Sequence, residues 1–132
     1  MATVAIFNTS DDTVEALRLM FEQHGFETVS AHIDQIKRGE VDFVDFVTTH
    51  DPQAVVYYIA PPYDHNWTFL KLLRNTDVMR GRPVVLTTTH KANLERLVGP
   101  TEAIEIIGKP YDLEQVTKAV TRALESRQSP PA

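Results

Sequence analysis

The chain has 132 residues, of which 42% are hydrophobic and 23% charged, enough for one compact domain with a single core. Its net charge of -5 and scattered basic residues argue against a nucleic-acid groove, which needs a basic stripe to neutralise phosphates. Because the chain has no cysteine, disulfides, thiolate metal sites and cysteine nucleophiles are excluded. We see no signal-peptide pattern and no apolar run of membrane-spanning length, so we expect a soluble cytoplasmic protein.

The first part of the chain has the pattern strand, helix, strand. The segment TVAIF at 3–7 predicts a buried strand, and apolar residues at helical spacing follow it as far as Phe21. Asp12 and Glu15 have the spacing of a capping box at the start of this helix, and Gly25 is suited to its end. FETVSA then alternates like a second strand.

The middle of the chain repeats this order twice. A polar stretch from His32 to Gln53 becomes helical around 43–47, and AVVYYIA then predicts a third strand. A third helix carries an apolar stripe over 67–73. RPVVLTTT predicts a fourth strand, with Pro83 at its start, where a missing N–H is tolerated.

The last part of the chain predicts one more strand and helix. A short helix ends at Gly99, and AIEIIGKP reads as the fifth strand. Asp112 and Gln115 have the spacing of a second capping box, which begins the final helix. We predict one domain over 1–126 and a polar, proline-bearing tail or linker stub over 127–132.

The strands are nearly continuous apolar runs that alternate with helices five times. This pattern predicts an α/β fold with a doubly wound, five-stranded parallel sheet and helices on both faces. In such folds a ligand site lies at the carboxyl ends of the strands. The polar residues predicted at those ends are Asn8, Thr9, Ser10, Tyr58, Thr87 to His90, and Lys109.

The segment GKPYDLEQV at 108–116 resembles the lysine, proline and last helix of response-regulator receiver domains, which act in two-component phosphorelay signal transduction. RPVVLTTT is similar to that family's fourth strand, with Thr88 at the position of its phosphate-contacting hydroxyl. The resemblance covers nearly the whole chain. It implies a flavodoxin-like sheet of order 2-1-3-4-5 and a cis peptide bond between Lys109 and Pro110.

In that family an aspartate at the end of the third strand accepts a phosphoryl group, and two acids after the first strand help to hold Mg²⁺. Counting back from Pro62 places Tyr58 at the phosphoacceptor position, and counting back from Gly25 places Asn8 and Thr9 at the acidic pair. A phenol with a pKa of about 10 offers no carboxylate oxygen at pH 7. Neutral Asn and Thr are poor ligands for a hard dication.

The resemblance therefore predicts an atypical receiver, or pseudo-receiver, that binds no Mg²⁺ and needs no cofactor. Its vestigial phosphate pocket would consist of Asn8, Thr9, Tyr58, Thr88 and Lys109. We expect Tyr58 to fill the space of the lost acid, with its hydroxyl bonded to Thr88, Lys109 or water. Three residues before Lys109 the family has a switch aromatic, and this chain has Ile106 there.

Other residues near the predicted sheet edge leave alternatives open. One alternative is that Asp11 and Asp12 replace the lost acidic pair and that Asp64 is a displaced phosphoacceptor. Capping explains the same residues, because acids are favoured at helix starts by capping and by the helix dipole. His65 and His90 follow the third and fourth strands, so a zinc or anion site is a further alternative to solvated loop histidines.

We expect a non-enzymatic signalling domain that works by protein–protein interaction without phosphorylation. Its partner would be another signalling protein or a second copy of the chain, with no nucleic acid and no membrane involved. In receivers the face made by the fourth helix, fifth strand and fifth helix often makes such contacts, which points to Leu94, Leu97, Ile104 and Ile106.

Two other functions stay open from the sequence. One is a small-ligand or anion sensor that uses the vestigial pocket, with Lys109 and Thr88 as contacts. The other is a receiver phosphorylated at a non-standard residue. An open cavity beside Lys109 would favour the sensor, whereas a pocket sealed by Tyr58 would favour the interaction domain.

Overall fold

A computed structural model describes residues 2–99, 104–108 and 113–128 of the chain. The strands are β1 (Thr3–Asn8), β2 (Glu27–His32), β3 (Ala54–Ile59), β4 (Val84–Thr88) and β5 (Ile104–Gly108). The helices are α1 (Asp11–Gln23), α2 (Ile33–Lys37), α3 (Phe43–His50), α4 (Tyr63–Arg74), α5 (Lys91–Val98) and α6 (Leu113–Gln128), with a 3₁₀ turn at Asp77–Met79.

The five strands form one parallel sheet in the order β2-β1-β3-β4-β5, which confirms the predicted flavodoxin-like topology. Alternate residues of β3 belong to two hydrophobic clusters. Val55, Tyr57 and Ile59 pack with α2, α3, α4 and α5, whereas Ala54 and Val56 pack with α1 and α6. The sheet is therefore covered on both faces, as expected for central strands that are apolar throughout.

The start of α1 differs from the predicted capping box. Ser10 is the N-cap, and its hydroxyl accepts the backbone N–H of Thr13 at 3.3 Å. Glu15 instead pairs with Arg18, and this hydrogen bond lowers the pKa of the Glu15 carboxyl. The prediction of Asp12 as the cap was wrong by two residues, because Ser is as good an N-cap as Asp. The helix ends before Gly25, which has φ +85°, as predicted.

The second crossover contains two helices, whereas the sequence predicted one. α3 begins at Asp42, whose carboxylate accepts the N–H of Asp45 at 3.1 Å. α2 has only five residues, which is too short for a clear helical period, and so it was missed. It starts directly after β2, where Nδ1 of His32 accepts the backbone N–H of Asp34 at 3.2 Å.

α6 extends to Gln128, two residues past the predicted end of the domain, and residues 129–132 lie outside the described part. The predicted capping residue Asp112 also lies outside it. No helix in the described residues has the length and apolar character needed to span a bilayer.

Candidate functional site

Asn8 and Thr9 end β1 at the carboxyl edge of the sheet, as predicted. Asn8 is 3% exposed, and its side-chain oxygen accepts the backbone N–H groups of Thr9 at 2.7 Å and Ser10 at 3.0 Å. These bonds fix the turn into α1 and occupy the oxygen that a metal ion would need. The backbone oxygen of Thr9 is in turn 3.1 Å from Nε2 of His32, which ties this turn to the start of α2.

Tyr58 lies at the carboxyl end of β3, between β1 and β4. The strand register sets Phe7 beside Tyr57, so Asn8 comes beside Tyr58. On its other side Tyr58 is paired with Thr87. Asn8, Tyr58 and Thr87 are therefore neighbours at this edge, and the Tyr58 side chain packs against the hydrophobic cluster of Tyr57 and Ile59.

Thr88 ends β4, directly after Thr87. Its register partner is Ile59, and its hydroxyl donates to the backbone oxygen of Ile59 at 2.9 Å. The strand register therefore pairs Tyr58 with Thr87, and Thr88, which the resemblance placed at the phosphate-contacting position, follows directly. The Thr87 side chain is fully buried, and its oxygen has no hydrogen-bond partner.

Lys109 and the predicted cis bond to Pro110 lie outside the described residues. The cis proline bond in the described part is Pro61–Pro62, directly after β3. The neighbouring loop is held by Tyr63, whose hydroxyl is 2.7 Å from the Thr89 hydroxyl. This bond joins the loop after β3 to the loop after β4, at the edge where the site lies.

The acids near this edge belong to helix starts. Asp11 and Asp12 occupy the first turn of α1, where the helix dipole favours negative charge. Asp64 lies in the first turn of α4, and its carboxylate accepts the backbone N–H of His65 at 2.9 Å. None of the three lies at the end of a strand.

A Mg²⁺ ion, which the receiver fold implies, does not fit the residues described here. Asn8 supplies a neutral oxygen that is already bonded twice, and Tyr58 supplies a phenol. Within the described ranges, no three His, Asp or Glu side chains lie together so that they could hold a metal ion. His90 caps α5, because its Nδ1 accepts the Asn93 N–H at 3.3 Å.

The predicted partner face is only partly at the surface. Leu94 is fully buried in the core, so its assignment to that face was wrong: the inward side of α5 packs on the sheet. Ile106 is half-buried against the same cluster, while Leu97 is 44% exposed. The side chain of Ile104 lies outside the described part.

No protein-family model matches the chain, and no curated protein matches it. Solved structures match it over nearly its whole length. A sensor protein from Polaromonas sp. JS666 has a TM-score of 0.75 at 19% identity, covering 96% of this chain and 98% of that one. The signal receiver domain of a histidine kinase from Syntrophus aciditrophicus has a TM-score of 0.75 at 18% identity, with 100% and 96% covered. Chemotaxis protein CheY4 from Vibrio cholerae has a TM-score of 0.68 at 18% identity, with 93% and 98% covered.

The chain has the receiver-domain fold. The shared features are the strand order and the helices on both faces. In the receiver fold the carboxyl edge of the sheet is the expected site for ligands and chemistry. In this chain the side chains at the ends of β1, β3 and β4 include the Asn8 amide, the Tyr58 phenol and the buried hydroxyls of Thr87 and Thr88.

Proposed function

We propose that this chain is an atypical receiver domain that acts in signal transduction by binding another protein, without being phosphorylated. The observation that carries the proposal is the chemistry at the ends of β1 and β3. Aspartyl phosphorylation needs a carboxylate nucleophile and a metal ion that neutralises the transferring oxygens. Asn8 and Tyr58 offer neither, and the Asn8 oxygen already accepts two backbone N–H groups.

A binding role is consistent with the surface of α5. Leu97 is 44% exposed, and it lies one turn from Leu94, which anchors the helix in the core. Leucine side chains exposed singly are common on proteins, so Leu97 alone carries little weight. Its position on the helix that receivers commonly use for contacts makes it the residue to test.

Self-association is the simplest form of this binding, and sedimentation velocity over a range of concentrations measures it. We expect Leu97→Glu to weaken any dimer, because a charge would replace an apolar contact. Leu72→Glu is the matched control, since Leu72 is 64% exposed on α4. Equal weakening by both variants would contradict the assignment of the face. Ile106→Glu is unsuitable here, because Ile106 packs against the core and its loss would lower stability.

The absence of phosphorylation is tested by incubating the protein with Mg²⁺ and a small phosphodonor, then measuring its intact mass. We expect no added phosphoryl group. The Tyr58→Asp variant should also stay unmodified, because the metal-holding acids are still missing. Phosphorylation near one group per chain would overturn the proposal, and its loss in Asp11→Asn, Asp12→Asn or Asp64→Asn would identify a non-standard acceptor.

One observation favours a second candidate, an anion sensor at the sheet edge. The Thr87 hydroxyl is fully buried and unpaired, and a buried donor without a partner is costly unless something binds it. An anion such as inorganic phosphate would accept a hydrogen bond from this hydroxyl. Phosphate-dependent amide shifts at Thr87 and Asn8, absent in Thr87→Val, would favour this candidate. Shifts equal in the two proteins would argue against it.

A further inference from the structure

A cavity of about 270 Å³ lies beside the sheet edge, on the side of α2 and α4. The apolar residues that line it are Ile33, Ala60, Pro61 and Pro62. The polar side chains that line it include Asp34, Lys37, Tyr57, Tyr58, His65 and Asn66. At about 30 Å³ for each water, it has room for about nine water-sized atoms, which is the size of a small metabolite.

The cation at this cavity is held in place. The ammonium group of Lys37 donates to the side-chain oxygen of Asn66, and it lies 5.5 Å from the centre of the Phe69 ring. Asn66 is itself fixed, since its amide nitrogen donates to the backbone oxygen of Ala60 at 2.7 Å. A surface lysine usually loses side-chain entropy when it binds an anion. Here much of that loss has already occurred, so the ammonium group is preorganised for a ligand.

The carboxylate of Asp34 lies about one turn before Lys37 on α2. The Asp34 carboxylate makes no ion pair with Lys37 in the described residues, and the nearby group is Nδ1 of His32 at 3.9 Å, which accepts the Asp34 N–H. Opposite charges at i and i+3 of a helix can reach each other, so their separation leaves both open to a ligand. A molecule with one positive and one negative group would satisfy both.

The third polar group of the proposed site is the hydroxyl of Tyr57, which lines the cavity. Tyr57 is 1% exposed, and no described residue hydrogen-bonds its hydroxyl. Burial raises the pKa of Tyr57, and the negative charge of Asp34 raises it further. The hydroxyl therefore stays protonated at neutral pH and is available as a donor.

The geometry points to a binding site for a small aliphatic α-amino acid in this cavity. Its carboxylate would bind Lys37 and the Tyr57 hydroxyl, its ammonium group would bind Asp34, and its side chain would cover Pro61 and Pro62. The cavity adjoins the vestigial pocket, because Thr9 and Tyr58 line it as well. The inference does not depend on the proposed function, because a domain can bind an amino acid whether or not it is phosphorylated.

The test is an amide NMR titration of the whole chain with L-leucine, repeated with L-valine. We expect saturable shifts in 33–37 and 60–66. N-acetyl-leucine lacks the cation and leucinamide lacks the carboxylate, so each should bind at least tenfold more weakly. Binding of either derivative as tightly as leucine would overturn the inference, as would the absence of saturable shifts with both amino acids.

Two variants test the ligand contacts. Lys37→Met and Asp34→Asn should each weaken leucine binding about tenfold or more, while both side chains are exposed enough for the fold to be kept. Lys71→Met is the control, because Lys71 lies 5.9 Å from the Trp67 ring on α4 in a similar arrangement but does not line the cavity. If Lys37→Met binds leucine as the unmodified chain does, the site is wrongly assigned.

Discussion

Thr87 and Thr88 are neighbours in β4, both fully buried, and we predict opposite effects when their hydroxyls are removed. The Thr87 hydroxyl has no partner, and an unpaired buried hydroxyl costs about 1–3 kcal/mol. Thr87→Val removes that cost and adds a buried methyl group. We expect it to stabilise the chain by about 1–2 kcal/mol.

Thr88→Val removes a hydrogen bond of 2.9 Å to the backbone oxygen of Ile59. The net worth of such a bond is about 1 kcal/mol, so this variant should be less stable than the unmodified chain. The two variants have the same shape change, the same strand and the same burial. The sign of the effect therefore depends on the hydrogen bonding alone.

Urea denaturation at pH 7 measures the difference. If the free energy of unfolding falls by about 2 kcal/mol per M urea, a difference of about 2 kcal/mol between the two variants separates their urea midpoints by about 1 M. If Thr87→Val lowers stability as much as Thr88→Val does, the Thr87 hydroxyl has a partner in solution. The Thr87 hydroxyl would then not be an unsatisfied group at the sheet edge.

Three further predictions concern other parts of the fold. Gly108→Ala should lower the free energy of unfolding by about 1–3 kcal/mol, because its new Cβ would lie 2.6 Å from Cβ of Lys91. The loss should shrink when Lys91→Gly is added. Additive losses in the double variant would contradict this explanation. Arg82→Gln should lower the free energy of unfolding by about 2 kcal/mol in urea denaturation, because the 13%-exposed Arg82 side chain binds Asp51 at 2.8 Å and two backbone oxygens. Arg80→Gln is the control and should change stability little, because Arg80 belongs to an exposed ion pair. Equal losses in the two variants would refute the distinction. The free energy of unfolding should fall above about pH 10, where the unfolded chain loses the Tyr57 proton that the folded chain keeps. Tyr57→Phe should make stability depend less steeply on pH in this range. An unchanged pH dependence would contradict the raised pKa of Tyr57.

The sheet could be predicted from the sequence because its central strands are buried on both faces. Segments such as VVYYI and VVLTT are apolar and β-branched enough to exclude other structures. The strand order came from the resemblance, and the structure confirms it. Local signals at helix starts were less specific: the sequence pattern favoured Asp12, whereas Ser10, an equally suitable residue type, caps the helix.

The strand ends at this edge could be predicted from the sequence, but the hydrogen bonds of their side chains could not. Thr87 and Thr88 follow each other in the sequence, and a shift of one residue moves a side chain to the opposite face of the sheet. Leu94 and Leu97 lie on one short helix, and periodicity alone did not show which of them packs inward. The cavity at α2 was not predictable, because it needs Lys37, Asn66 and Tyr57 to meet from three separate elements.

The central claim is that the sheet edge no longer works as a phosphorylation site. The most direct test is an amide NMR titration with Mg²⁺ followed by fluoroberyllate, which imitates a phosphoryl group. We predict no saturable shifts at Asn8, Tyr58 and Thr87 with either addition. Saturable shifts at these residues would show that the edge still binds the ion and the phosphoryl mimic, and the claim would be wrong.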